Sequence, residues 1–269
     1  MPVITITSDW KNSDYYLPVL KGRIMSLFQG VSVVDITNSA KSFDVYQACF
    51  ILKNSYRSFP KGSIHLITVG SGNLLDKELV AVKANGHYFV GENDGRFSLL
   101  LDDVVSSGGE IEAGLVECKH RMGPMAEADY YCRGIAAIMN GDELPEASLV
   151  KSGADRAVVM VDKIIGRVVY IDSYGNAITN ISQRDFMKVY DLIMASGCEN
   201  EEDIPDFMIY AGGPHLRFDE ISDGYDSVSP GNEVAFFNSL GVLELAVNRG
   251  DFASLEGVDT TTEVMVKFG

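Results

Sequence analysis

Val3-Ile4-Thr5-Ile6-Thr7-Ser8-Asp9-Trp10 begins with five β-branched residues and then stops at a serine and a carboxylate. Branching at Cβ suits an extended backbone, so the run predicts a strand over residues 3–7. Behind it Tyr15, Leu17, Leu20, Ile24, Leu27 and Phe28 recur at helical spacing, and Val31 to Ile36 reads as the next strand. Strand, helix and strand in this order predict parallel pairing.

The alternation continues. A helix is expected from Phe43-Asp44 to about residue 56, a third strand over 63–69, and two short strands around the hairpin dipeptide Asn85-Gly86. Asn93-Asp94-Gly95 starts a short helix to about 101, a strand follows over 111–116, and a helix over 129–139 is stopped by Asn140-Gly141. This is an α/β pattern, a mainly parallel sheet with helices on both faces. Residues 141–155 are polar, contain Pro145 and read as a linker. Beyond them the signal is mostly strand, over 157–162, 167–172, 177–181, 206–211, 214–218, 233–238, 242–248 and 263–268. The expected organisation is an α/β domain over 1–155 and a smaller antiparallel β-rich domain over 156–269. The Glu199-Asn200-Glu201-Glu202-Asp203 run reads as a solvated loop.

Composition bounds the function. A formal charge of −16 and a pI near 4.6 argue against a nucleic-acid surface or an anionic membrane, since both need clustered Lys and Arg. Four cysteines, at 49, 118, 132 and 198, form no CxxC pair, and His120 beside Cys118 has no second ligand pair at metal-site spacing. Free thiols, no metal and a cytoplasmic location are expected. No signal peptide or apolar run long enough for a membrane span is visible.

Two motifs bear on ligands. Gly70-Ser71-Gly72 follows a strand, but Leu75 replaces the third glycine of a dinucleotide fingerprint and Asp76-Lys77-Glu78 leads into another strand, leaving no helix N-terminus for a pyrophosphate. The segment from Ile171 to Ile181 sets Asp172, Tyr174 and Asn176 around Gly175. A carboxylate, a ring and an amide suit a nucleoside, whose base stacks and whose edge carries donors and acceptors. The same residues also suit an ordinary β-turn in which Asp172 and Asn176 satisfy local backbone.

Taken in order, Thr7-Ser8-Asp9-Trp10, Asp14-Tyr15-Tyr16, Lys21-Gly22, Val34-Asp35-Ile36-Thr37, Ser42-Phe43-Asp44, Phe59-Pro60-Lys61-Gly62-Ser63-Ile64-His65, Tyr88-Phe89-Val90-Gly91-Glu92-Asn93-Asp94-Gly95, the 171–181 segment and Asn238-Ser239 through Asn248 resemble the S-adenosylmethionine hydroxide adenosyltransferases, the S-adenosylmethionine hydrolases related to fluorinase and chlorinase. The resemblance spans nearly the whole chain. It implies a homotrimer with ligand sites between the first domain of one subunit and the second of its neighbour, and no cofactor. It implies that Asp9 clamps both ribose hydroxyls, that Asn176 reads the adenine edge, and that Tyr174 and Tyr225 sandwich the purine. Asp14, Asp172 and Ser239 fall at positions that bind the methionine portion, Phe43 near the sulfonium, and Glu244 and Val247 at further contacts.

The chain departs from that family where water is handled. The hydrolases carry Asp, Arg and His at positions corresponding here to Gly70, Lys77 and Ala126, with Asp129 retained. A halide site fares no better, because its serine position falls on Glu127, whose charge repels a desolvated anion. Glu127 as a general base, kept ionised by Lys77, is the ionisable pair left for catalysis. Two functions follow: a divergent hydrolase that displaces methionine at C5′ with water to give adenosine, or a non-catalytic protein that binds adenosine or S-adenosylmethionine.

Overall fold

The β-branched opening forms β1 (Val3–Thr7), and α1 (Tyr16–Leu27) carries the chain over to β2 (Ser32–Thr37), parallel to it. This computed structural model describes residues 2–70, 78–117, 125–152, 156–197 and 206–269. Next come α2 (Val45–Lys53), β3 (Ile64–Ile67), the hairpin β4 (Leu79–Ala84) and β5 (His87–Glu92), α3 (Arg96–Leu100), α4 (Asp102–Ser106), β6 (Ile111–Val116) and α5 (Ala126–Asn140). The sheet order is β2-β1-β3-β5-β4-β6. The first four of these are parallel, and β4 is antiparallel to both its neighbours.

Alternation along the strands sorts side chains to two faces. Ile4, Ile6, Leu79 and Ala81 pack with Leu20 and Ile24 of α1 and Tyr131 and Ile135 of α5. Val80, Val82 and Phe89 pack with Cys49 and Leu52 of α2, Phe97 and Leu100 of α3 and Val104 of α4. Both faces are therefore covered, as a parallel sheet requires.

The stretch expected to be a linker is stitched down instead. Leu115 N–H donates to Pro145 O at 2.7 Å and Ala147 N–H to Ala113 O at 3.0 Å, so the chain runs beside the exposed edge of β6. Asn93 then holds Ser148 O and Val150 N–H, and Ser98 Oγ donates to Val150 O. The structure divides into two compact units, Met1–Ala154 and Asp155–Gly269.

The second unit comprises β7 (Val158–Val159), β8 (Lys163–Ile171), β9 (Ala177–Ser182), α6 (Gln183–Gly197), β10 (Phe207–Ala211), β11 (Arg217–Phe218), β12 (Glu233–Phe237), β13 (Val242–Val247), α7 (Phe252–Glu256) and β14 (Glu263–Phe268). Its strands pair antiparallel in the order β11-β10-β14-β8-β9-β13-β12, with β7 also on β8. The mostly-strand reading of this half missed α6. Ser182 Oγ accepts the Asp185 N–H and donates to its carboxylate, which starts the helix. Phe186 and Val189, with Tyr190 and Ile193 beside them, then join the core formed by Ile164, Val168 and Ile209. The acidic run 199–203 lies outside the described residues.

Candidate functional site

In the first unit β1 connects through α1 to β2 on one side, and the chain then crosses to β3 on the other. Such a reversal opens a crevice at the carboxyl ends of the strands, where open α/β sheets take their ligands. Asp9 stands there, half-buried, two residues beyond β1. Its Oδ2 accepts the N–H of Phe43 at 2.9 Å and of Gly70 at 3.2 Å, from the loops after β2 and β3. No donor among the described residues reaches Oδ1. Both donors have left-handed backbone, φ +66° at Phe43 and +73° at Gly70. That conformation strains a phenylalanine by about 1–2 kcal/mol and suits a glycine. The Phe43 ring is 77% exposed and helps line a cavity of about 540 Å³ with Ser42, Tyr46, Asp94 and Ser152, a cavity that Asp9 itself does not line.

Asp14 is exposed in the turn before α1, its N–H on Lys11 O at 3.0 Å. The Tyr15 and Tyr16 rings follow, centroids 4.4 Å apart. The Tyr16 phenol is raised by its hydrogen bond to Tyr15 first of all, and the Asp14 and Glu127 carboxylates add to it. Glu127 is half-buried in the first turn of α5, behind Met125 at φ +64°. Asp129 in the same turn pairs with Arg23.

The second unit builds its polar site from a turn. Asp172 Oδ1 accepts the N–H of Tyr174 and of Asn176, both at 2.9 Å, and Oδ2 accepts Asn176 Nδ2 at 3.0 Å. Gly175 makes the turn possible, since at φ +83° a Cβ there would lie 2.0 Å from Asp251 Oδ1. Asn176 Nδ2 also donates to Tyr225 Oη at 3.0 Å, Tyr225 donates to Glu244 Oε1, and Asn238 Nδ2 donates to Glu244 Oε2 at 2.8 Å. Burial, then the bond to Glu244, raises the Tyr225 phenol, so it stays protonated and donating. With carboxylates at both ends, every proton in this chain has one direction. Both amide hydrogens of the buried Asn176 are used, and it presents only its Oδ1 acceptor.

Residues 4–145 match the SAM hydroxide adenosyltransferase N-terminal domain and residues 166–265 the C-terminal domain of the same family. The chain belongs to the SAM hydroxide adenosyltransferase family. An (R)-S-adenosyl-L-methionine hydrolase of Methanocaldococcus jannaschii is 28% identical over 207 residues, which cover 72% of this chain and 73% of that protein. A fluorinase of Nocardia brasiliensis is 24% identical over 307 aligned positions, covering 100% of this chain and 97% of its own. The crystal structure of an uncharacterized conserved protein from Thermotoga maritima superposes with a TM-score of 0.79 at 22% identity, over 98% of this chain and 99% of that one, which shows a shared fold.

Within this adenosyltransferase fold the expected ligand residues fall into distinct groups. Asp172, Asn176, Tyr225 and Glu244 form one network. Tyr174 is 76% exposed at its rim. Ser239 is exposed in the β12–β13 turn, next to Asn238, which the sequence reading did not single out. The Val247 side chain belongs to the apolar core, and its carbonyl accepts the Gly250 N–H at 3.0 Å. Gly70 and Ala126 carry no side-chain chemistry, and Lys77 lies outside the described residues, as do Cys118, His120 and Cys198. Cys49 and Cys132 are free, buried thiols, pushed up to about 12 and about 11 by burial. No group of three or more metal-ligating side chains occurs among the described residues, and no helix there is long and apolar enough to cross a membrane.

Proposed function

We propose that this chain binds S-adenosylmethionine through its adenosine portion and hydrolyses it to adenosine and methionine. The observation that carries this reading is the half-held carboxylate of Asp9. Two backbone N–H groups fix Oδ2, and Oδ1, which no donor among the described residues reaches, is an acceptor suited to the two adjacent hydroxyls of a ribose. The acceptor-only Asn176 supports an adenine with its 6-amino donor, flanked by the rings of Tyr174 and Tyr225. Asp172 has three of its acceptor sites taken by its own turn, so its work is first to orient Asn176, with a remaining lone pair for the methionine ammonium. Asp14 and Ser239 serve the same end of the ligand, and Phe43 the sulfonium.

In the reaction water forms a bond to C5′, the C5′–S bond breaks, and methionine leaves as a neutral thioether whose sulfur takes the electron pair of that bond. The proton lost by water goes to a base, for which Glu127 is the candidate, with Lys77 as its counter-charge. A homotrimer with shared sites and a cytoplasmic location complete the proposal. A second reading, binding without turnover, is favoured by one observation: Gly70 spends its N–H on Asp9 and offers no side chain for water.

Purified protein is incubated with S-adenosylmethionine and adenosine is followed by chromatography, with adenosine binding measured by calorimetry. Adenosine released well above the buffer rate supports hydrolysis. Binding without release selects the second reading, and absence of both defeats the two together.

A further inference from the structure

Arg96 opens α3 with its side chain wholly buried. Its Nε donates to Asp94 Oδ1 at 2.8 Å, and its Nη2 to Asp94 Oδ2 at 2.7 Å and Glu92 Oε2 at 3.2 Å. A buried ion cluster rarely stabilises a fold more than apolar side chains of similar volume, so its use lies in what else it holds. It holds backbone. Nη1 donates to Ile67 O at 2.8 Å and Nη2 to Val69 O at 3.1 Å, both at the carboxyl end of β3.

A trans peptide group is planar, and its C=O and N–H point in opposite directions. The group that carries Val69 O also carries the N–H of Gly70, which donates to Asp9 Oδ2. The group that carries Ile67 O carries the N–H of Thr68, which donates to Thr7 O at 2.9 Å. Two peptide groups are thus gripped at both ends, by Arg96 at the oxygen and by the end of β1 at the hydrogen. A cation on a carbonyl also polarises the peptide and strengthens its N–H as a donor.

We infer that Arg96 is a positioning residue for Asp9: through the Val69–Gly70 peptide it holds Oδ2 in place and so aims Oδ1 at the vicinal hydroxyls of the ligand. This role rests on the ribose-binding reading of Asp9 given above. A lysine keeps the charge but has one nitrogen, which cannot span Asp94 and two carbonyls.

The test is the ratio of dissociation constants for 2′,3′-dideoxyadenosine and adenosine, measured by calorimetry on the wild type, Arg96→Lys and Tyr131→Phe. A wild-type ratio of roughly thirty or more is expected from two charge-assisted hydrogen bonds. In Arg96→Lys the ratio falls at least fivefold while dideoxyadenosine binds within about twofold of wild type. Tyr131 donates to Ile67 O at 3.2 Å, on the peptide group that Arg96 Nη1 also holds, so Tyr131→Phe loosens the end of β3 that presents Val69–Gly70, lowers the ratio about twofold and serves if Arg96→Lys does not fold. Should both ligands weaken in parallel in Arg96→Lys, or the ratio stay at its wild-type value in the variants that fold, Arg96 is only structural and the inference is overturned. A wild-type ratio near one, with adenosine still bound, removes the Asp9 reading and this role together.

Discussion

Asp9 and Asp172 are both carboxylates held by backbone N–H groups, yet their keepers come from opposite kinds of place. Asp172 is held from two and four residues away, inside its own turn. Asp9 is held from 34 and 61 residues away, by loops that only the finished sheet brings together. The first arrangement is a property of a peptide segment, whereas the second is a property of the fold. Removing each carboxylate should therefore fail differently.

The largest effect tests this directly. Asp9→Ala is expected to weaken adenosine binding by about 2–4 kcal/mol in calorimetry with a smaller fall in melting temperature than Asp172→Ala, since its side chain accepts two loop N–H groups but builds no turn. Asp172→Ala should lower both, because it undoes the turn that presents Asn176. A loss of folding stability in Asp9→Ala as large as in Asp172→Ala would erase the distinction.

Two glycines sharpen it. Gly175→Ala meets left-handed backbone and Asp251 at 2.0 Å, and denaturant melts should show a loss of roughly 2–4 kcal/mol. At Gly70 a Cβ would lie 3.8 Å from Val45 Cγ2, ordinary contact, so Gly70→Ala bears the backbone strain alone, roughly 1–2 kcal/mol. Equal costs would mean that the Asp251 loop yields freely.

Acid should separate the two units. His65 Nδ1 meets Thr5 Oγ1 at 2.7 Å and its Nε2 meets His87 Nδ1 at 3.1 Å, in a buried set with Tyr56 and Phe89. Burial, and then His87, holds His65 down to about 3; burial, then Lys61 and Arg57, lowers His87 as well. Unfolded histidine takes its proton near 6.5, so stability is full above that pH and is lost as pH falls below it, for His65 at up to about 1.4 kcal/mol per pH unit down to about 3, with His87 adding in the same direction. Trp10, the single tryptophan, reports on the same unit. Its fluorescence should show a midpoint in urea that drops between pH 6 and 4, and the slope should flatten in His65→Leu. A wild-type midpoint flat across that range would contradict the buried pair.

The smallest effect lies in the second unit. Tyr225→Phe removes one hydroxyl between Asn176 and Glu244 and should cost about 1 kcal/mol of adenosine affinity in calorimetry. No loss at all would mean that Asp172 alone sets the amide.

The same contrast explains what was legible in the sequence. Periods of strand and helix are local, so the parallel α/β half and the hairpin at Asn85-Gly86 could be read directly, as could the Asp172 turn. The cradle of Asp9 could not, because nothing in residues 3–10 specifies Phe43 or Gly70. Arg96 fell without mention inside the short helix expected from Asn93-Asp94-Gly95 to about 101, and only the sheet shows it under the end of β3. The missed α6 is different in kind: Ser182, Asp185, Phe186, Val189, Tyr190 and Ile193 carry a serine cap and a helical stripe, which a strand-rich surrounding hid.

The stretch running beside β6 bears on how the first unit could live alone. Cut at residue 141, it would lose Pro145 O and the Ala147 N–H, and the backbone of Ala113 and Leu115 would face water as an open template for another copy to pair with. Carried on to residue 152, the same unit keeps its own selvedge, so solubility of the isolated half depends on residues that belong to no helix and no named strand.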